Sequence, residues 1–264
     1  MSGSSEPDLL ARVVRYELDH ARDAAELVEP IDEGALVLNP GIDLVWSANY
    51  VEIQESQAEA GQLADLADRM FGARGYGHRR VVPAEPEYSA RLEPGFVELG
   101  WTVARNVYME LRRPPEREGA PAIEVSRQET EPIRTATRSR RSDMTPKSVQ
   151  QMHVWDARLD DTAGSARWFA SLHEGKPASS CVLYERDGVG QVETVTTDPE
   201  LEGRGLASGV VLAAAQASRE AGHEITFLVA DGDDWPWKLY ERLGFDRVGE
   251  GCSFLTKPPQ PRGD

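Results

Sequence analysis

Residues 192–207 read Val192-Glu-Thr-Val-Thr-Thr-Asp-Pro-Glu-Leu-Glu-Gly-Arg-Gly-Leu-Ala207. A β-branched run ends at Thr197, Pro199 breaks a strand ladder, and a turn flanked by Gly203 and Gly205 opens a helix. That helix is expected over about 205–221, with Gly222 as its stop. The spacing puts Leu206, Val210, Val211, Ala214 and Ala217 on its buried face. A helix start offers unpaired N–H groups and the positive end of the peptide dipole. Two glycines let a ligand approach that backbone with no Cβ in the way. The combination describes a pyrophosphate cradle. No Gly-Lys-Ser/Thr follows, so it is not a Walker loop, and the three glycines of the dinucleotide fingerprint are missing. Read alone, the Gly-x-Gly is equally a tight turn.

Working outward, residues 179–185 and 191–197 read as strands joined by Asp187-Gly188, a hairpin signal. Residues 224–230 form a buried-type strand, 236–243 a helix followed by Gly244, and 245–256 one or two closing strands. Upstream, 122–126 is a short strand, while 131–141 and 163–172 carry helical patterns. Before these stands Arg112-Arg-Pro-Pro-Glu-Arg-Glu-Gly-Ala-Pro121. Three prolines and a glycine among charges end any regular element and read as a linker. The expected division is a domain over 1–113, a linker over 114–121 and a domain over 122–264. The first segment is mixed α/β: a helix over about 9–28 with Leu10, Val13, Val14, Leu18 and Ala25 near one stripe, strands over 35–38, 44–53, 79–82 and 103–111, and a helix over 59–70 ended by Gly72 and Gly75. It carries no chemical motif. The first few residues and the tail 258–264 read as disordered ends.

Composition bounds the function. Of 264 residues 40% are hydrophobic and 28% charged, which suits a globular protein with a sizeable core. No apolar run reaches the roughly 20 residues of a membrane span, and the opening MSGSSEPD has no Lys or Arg. An integral membrane or secreted protein is not expected. The only cysteines are Cys181 and Cys252, and the five histidines lack ligand spacing. Neither a disulfide framework nor a metal site is expected, and a reducing cytoplasm is the natural compartment. Against 29 basic residues stand 45 acidic ones, a formal charge of -16. Such a field repels nucleic acid and anionic membranes and attracts cationic small molecules or basic peptides; equally, it serves solubility alone.

Downstream of the cradle the chain reads Trp237-Lys-Leu-Tyr-Glu-Arg-Leu-Gly-Phe245. With the strand ending Val195 to Pro199 and the loop Glu202-Gly-Arg-Gly-Leu-Ala207, this makes three motifs in order. Over roughly 122–257 the chain resembles the GCN5-related N-acetyltransferase (GNAT) family, whose loop reads Gln/Arg-x-x-Gly-x-Gly/Ala and whose later helix reads Leu-Tyr-Glu-x-Leu-Gly-Phe. The resemblance implies an α/β fold with a mixed α+β sheet and acetyl-CoA as cosubstrate. It implies that Glu202, Gly203, Arg204, Gly205, Leu206 and Ala207 surround the pyrophosphate. Val195, Thr196 and Thr197 would lie on a strand that splays from its neighbour and pairs with the pantetheine arm. Tyr240 matches the tyrosine that protonates the departing thiolate; its other reading is a packing residue. By the two-residue period of a strand, Glu193 faces the same side as Val195 and Thr197. It is either the carboxylate that orients or deprotonates the amine, or a solvated strand residue.

Two positions depart from the family: Glu202 replaces Gln or Arg, which implies weaker donor binding, and Asp233-Asp-Trp-Pro236 replaces Asn-x-x-Ala. Arg134, Arg138, Arg140 and Arg141 suggest either a phosphate-binding run or a solvated helix face. His153, Trp155, Trp168 and His173 fall where acceptor-covering helices lie in the family, and they and Trp235 and Trp237 are equally core residues. Cys252 is a ping-pong nucleophile or, with no base beside it, a plain strand residue. In the first segment Leu99-Gly-Trp101 stands where Leu243-Gly-Phe245 stands in the second, without a Gly-rich loop. This implies a degenerate GNAT-like copy packed on the catalytic domain, an unrelated α/β domain being the alternative. The expected activity is acetyl transfer to a primary amine of a small cationic molecule by direct attack in a ternary complex. Protein N-terminal or lysine acetylation and a silent acyl-CoA-binding regulatory module are the alternatives, and a homodimer is compatible with each.

Overall fold

The computed structural model describes residues 6–54 and 56–257. In chain order its elements are α1 (Glu6–Asp23), β1 (Leu27–Ile31), β2 (Gly34–Leu38), β3 (Tyr50–Ile53), α2 (Ala60–Gly72), β4 (Arg79–Pro83), α3 (Pro86–Glu98) and β5 (Thr102–Leu111). There follow β6 (Ala122–Val125), α4 (Arg127–Ser139), α5 (Pro146–Thr162), β7 (Ser165–His173), β8 (Lys176–Arg186) and β9 (Val189–Thr197). The chain closes with α6 (Leu206–Glu220), β10 (Ile225–Asp231), α7 (Pro236–Arg242) and β11 (Phe245–Thr256). The described residues fall into two compact units, 6–106 with 250–257, and 107–249. This differs from a linear cut at 114–121. The boundary runs through β5 and β11, so the first unit takes in a strand portion, 250–256, remote in sequence from its other residues, while the second is continuous and starts within β5.

In the first unit the strands run β1-β2-β3-β4, then the end of β11 and the start of β5. Phe71, Phe96 and Phe254 centre its core, with Phe96 stacked on Phe254 at 4.1 Å between ring centroids. In the second unit the order is β6-β7-β8-β9-β10, followed by the end of β5 and the start of β11. Its core joins α6 (Val210, Val211, Ala214) to Leu183, Val192 and Phe245. Asp187 and Gly188 have φ of 51° and 75°, the left-handed pair that a two-residue hairpin turn needs. The alternating strands, α6 with its buried stripe, α7 and the closing strand lie where the sequence puts them.

Four expectations change. Residues 163–172 are strand β7, not helix, because β6 and β8 flank it and both its faces are covered: Trp168, Phe169 and Ala170 are all buried, which hides any alternation. The helix of this region is α5, opened by a Thr145/Ser148 capping box and Pro146. Only 50–53 of the expected strand 44–53 is strand. Asn49 donates from Nδ2 to the Val45 carbonyl at 2.9 Å and accepts the Asn39 N–H at 2.6 Å, holding the preceding residues in tight turns. α1 ends at Asp23, and 27–31 is strand β1. Finally, 112–121 has no regular structure but is no free tether. The Arg112 and Arg113 N–H groups donate to the Gly244 carbonyl, Glu116 N–H to Arg242 and Ala120 N–H to Gly205. The tail expected to be disordered lies outside the described residues.

Candidate functional site

β9 and β10 pair in parallel only from Val189/Ile225 to Val192/Leu228. Both continue, to Thr197 and Asp231, without pairing further, so the strands part beyond Val192. Beside the opening lies a cleft of about 440 Å³. Val195, Thr197, Glu202, Gly203 and Gly205 form one side of it, with Leu206, Ala207 and Ser208 from the start of α6. The other side is Trp235, Lys238, Leu239, Tyr240 and Arg242 of α7 and its approach, and Arg117 closes the rim. Gly203 and Gly205 have φ of 76° and 77°, and Gly205 stands at the N-cap of α6 with no side chain capping the helix. The first N–H groups of α6 are therefore left to a ligand or water. A Cβ on Gly203 would meet nothing within 4 Å, while one on Gly205 would stand 3.5 Å from the Ala120 nitrogen.

Seven of the nine expected donor residues thus border one cleft. Thr196 and Arg204 do not: Thr196 is paired opposite Ser180 on the other side of the strand, and Arg204 is exposed at the loop tip. Arg117, Ser208 and the cations of α7 carried no family motif, and Arg117 lay in a stretch read as linker.

A β-bulge alters the reading of Glu193. The register steps from Val182↔Glu193 to Ser180↔Thr196, so Cys181 faces the two residues Thr194 and Val195. Thr194 has a φ of 53°, rare for a β-branched residue. The extra residue breaks the two-residue period, and Glu193 shares its side with Thr196 instead of with Val195 and Thr197. Its carboxylate nevertheless reaches both sides electrostatically, adding to the raised pKa of Tyr184 and of Tyr240. Tyr240 is buried against Phe245, and burial first, then Glu193 and Cys181, lifts its phenol far above its ordinary value. It stays protonated at neutral pH.

The arginine run divides: Arg134 and Arg138 of α4 are internal, while Arg140 and Arg141, just past its end, are exposed. Arg134 is 1% exposed, ion-paired with buried Asp156 and stacked 4.4 Å from the Trp168 ring. Arg138 donates to both Asp156 oxygens at 2.7 and 3.0 Å. Burial works against the Asp156 charge, but hydrogen bonds from His153 and Arg138 and the two arginine charges hold its pKa low. Arg140 pairs with Asp198 and Glu200, tying the end of α4 to the loop before the cradle. Trp155 and Trp168 are core residues, and the Trp237 ring carries Lys238 and Arg247 over it at 5.2 and 5.0 Å. Trp235 is 59% exposed at the cleft. Cys252 lies in the first unit, where burial and Glu93 push its thiol up to about 11; a protonated thiol is a poor nucleophile. Cys181 is fully buried and donates to the Val210 carbonyl.

The first unit repeats the order of the second. The meander β1-β2-β3, then α2, β4, α3 and β5, follows the pattern of β7-β8-β9, α6, β10, α7 and β11. Its counterpart of the cleft is closed. β3 and β4 pair from Val51/Val81 to Ile53/Pro83, the last residue of each strand. α2 is capped by its own Glu59/Gln62 box, and the Tyr88 hydroxyl of α3 donates to the Ala58 carbonyl at 2.7 Å. No helix of the described residues is long and apolar enough to cross a membrane.

A splayed parallel strand pair, an uncapped glycine-led helix start and a tyrosine helix across the gap define the α/β fold of the GCN5-related N-acetyltransferases, and the repeated order makes it the tandem form. Comparison with known proteins agrees with the resemblance read from the motifs. Residues 172–254 match the family described as FR47-like protein. The mycothiol acetyltransferase of Nocardiopsis dassonvillei is 39% identical over 78 residues, 29% of this chain and 24% of that one. The likeness therefore spans about a quarter of the relative's length. A GCN5-related N-acetyltransferase from Kribbella flavida has the same fold, with a TM-score of 0.64 at 18% identity over 96% of each chain. A tandem GNAT protein from the clavulanic acid biosynthesis pathway gives 0.56 at 12% identity over 98% of this chain and 90% of its own.

Proposed function

We propose that the chain is an acetyl-CoA-dependent N-acetyltransferase that acylates a primary amine of a small cationic molecule directly in a ternary complex. The observation that carries this reading is the cleft beside the parted ends of β9 and β10, lined at once by the uncapped start of α6 and by Tyr240. The residues fit the cosubstrate: N–H groups of 205–208 and the flanking Gly203 suit its pyrophosphate, and the unpaired edge of β9 at Val195–Thr197 suits its amide-bearing arm. The thioester supplies the acyl group and a thiolate leaving group.

The chain's own residues do the rest. Residue 194 is the extra one in the bulge, and a backbone N–H released from the ladder there is assigned to donate to the carbonyl oxygen as negative charge develops. Glu193 accepts a hydrogen bond from the amine, directly or through water, and so favours its approach as a nucleophile. Tyr240, held neutral by burial, donates its proton to the departing sulfur. The acidic surface favours a cationic acceptor. The closed counterpart in the first unit is read as silent, leaving one donor site per chain.

Calorimetric titration with acetyl-CoA tests the reading. Binding near one equivalent is expected for the native chain and is abolished in Gly205→Glu, which puts a carboxylate where the phosphate belongs. No heat and no competition at high ligand concentration would reduce the Gly-rich turn to a turn. Binding without turnover on a broad amine panel would favour a regulatory acyl-CoA-binding module.

A further inference from the structure

The stretch 113–120 is folded as a strap across the cradle. At one end a Cβ on Gly244 would overlap the Arg113 carbonyl, and Arg113 Nε donates to Asp246 at 2.7 Å. At the other, Gly119 crosses α6 at Gly209 so closely that a Cβ on either residue would overlap the other segment's backbone. Between these anchors the Glu116 N–H donates to the Arg242 carbonyl and the Ala120 N–H to the Gly205 carbonyl. The strap therefore joins α7 to the start of α6, the two walls of the cleft.

Glu116, Arg117 and Glu118 are consecutive and all line a surface hollow with Pro115 and Leu212, yet of the three only Arg117 also borders the cleft. The Arg117 guanidinium reaches to 4.0 Å from where a Cβ on Gly205 would stand. It makes no ion pair among the described residues, whereas Arg112 and Arg113, just before it, pair with carboxylates. A cation beside the positive end of a helix is unfavourable unless an anion lies between them. Three cations, Arg117, Lys238 and Arg242, and one carboxylate, Glu202, line this cleft in a chain of formal charge -16.

We propose that Arg117 is a phosphate-binding residue of the cleft, so that the strap makes recognition depend on the nucleotide end of the donor as well as on its thioester arm. This rests on the acyl-CoA reading above. It also gives a reason for the tolerance of Glu202: the cation missing from the first loop position is supplied from outside the loop. A planar guanidinium suits two phosphate oxygens where an ammonium acts as a point charge.

The test is calorimetry on the full chain, native, Arg117→Gln and Arg117→Lys, with acetyl-CoA, its 3′-dephospho form and S-acetylpantetheine, which has no nucleotide. Arg117→Gln should weaken acetyl-CoA about tenfold or more, the size of a lost charge-assisted hydrogen bond. It should leave S-acetylpantetheine unchanged, and Arg117→Lys should recover part of the loss. Persistence of the loss with the dephospho compound assigns Arg117 to the pyrophosphate, and its disappearance assigns the 3′-phosphate; both uphold the proposal. Equal affinity of native and Arg117→Gln chains for acetyl-CoA overturns it while leaving the acyl-CoA reading intact. An equal loss with S-acetylpantetheine also overturns it, because Arg117 would then act through the fold. A native chain that binds none of the three fails the acyl-CoA reading itself.

Discussion

Tyr240 concentrates the chemistry at the scale of one residue. Its ring packs against Phe245 while its place on the cleft wall makes it both a core residue and a candidate acid, so the two readings of the sequence are not exclusive. Tyr240→Phe keeps the packing and removes only the hydroxyl. Turnover should fall by about 100-fold or more, in the range of general acid catalysis, with acetyl-CoA affinity nearly unchanged. A phenol whose pKa is raised stays protonated below that value, so ionisation of Tyr240 should not limit the native rate at neutral or mildly alkaline pH. Pre-steady-state rates of the native and Phe chains across that range check both statements; an unchanged rate would return Tyr240 to packing alone.

At the scale of elements, two departures from regularity shape the site. The bulge in β9 moves Glu193 to the side opposite Val195 and frees backbone at the point where the strands part. The strap lies so close to α6 that glycine is required at the crossing. Gly→Ala within a helix ordinarily stabilises by roughly 0.5–1 kcal/mol. At Gly209 the sign should reverse, because the new methyl would overlap the Ala120 carbonyl. Overpacking of this kind costs about 1–3 kcal/mol. Urea denaturation of Gly209→Ala should show a lowered midpoint, and acetyl-CoA affinity should fall with it as the strap is lifted. A stabilised variant with native affinity would mean that the strap does not need that contact.

At the scale of the whole molecule, the first unit is built from two pieces of chain, and the second begins inside β5, before the expected linker. Val107 and Met109, from the end of β5, are fully buried in the core of the second unit, upstream of the residues expected to form that domain. Truncating a buried methionine to alanine costs about 2–5 kcal/mol. Met109→Ala should therefore destabilise the second unit by that amount although it lies outside 122–264, read as a loss of unfolding free energy in denaturant. A change below half a kcal/mol would place the residue outside the core.

Local signals made much of this legible in the sequence. The Asp187-Gly188 turn, the glycine-led start and buried stripe of α6, and the order strand, cradle, tyrosine helix each depend on residues a few positions apart. Steric preference and periodicity act over that range. Seven of the nine expected donor residues border the cleft for the same reason. What needed the tertiary structure involves partners distant in sequence. β7 loses its alternation only because sheet neighbours and helices cover both its faces. Arg134 and Arg138 are internal only because Asp156 from α5 faces them. Thr194 bulges where β8 and β9 fall out of step, Arg117 reaches the cradle because distant glycines let the strap close, and the strand portions at 107–111 and 250–256 complete sheets far from their own segments. Periodicity records which face of an element is apolar; it carries no record of what long-range packing brings against that face.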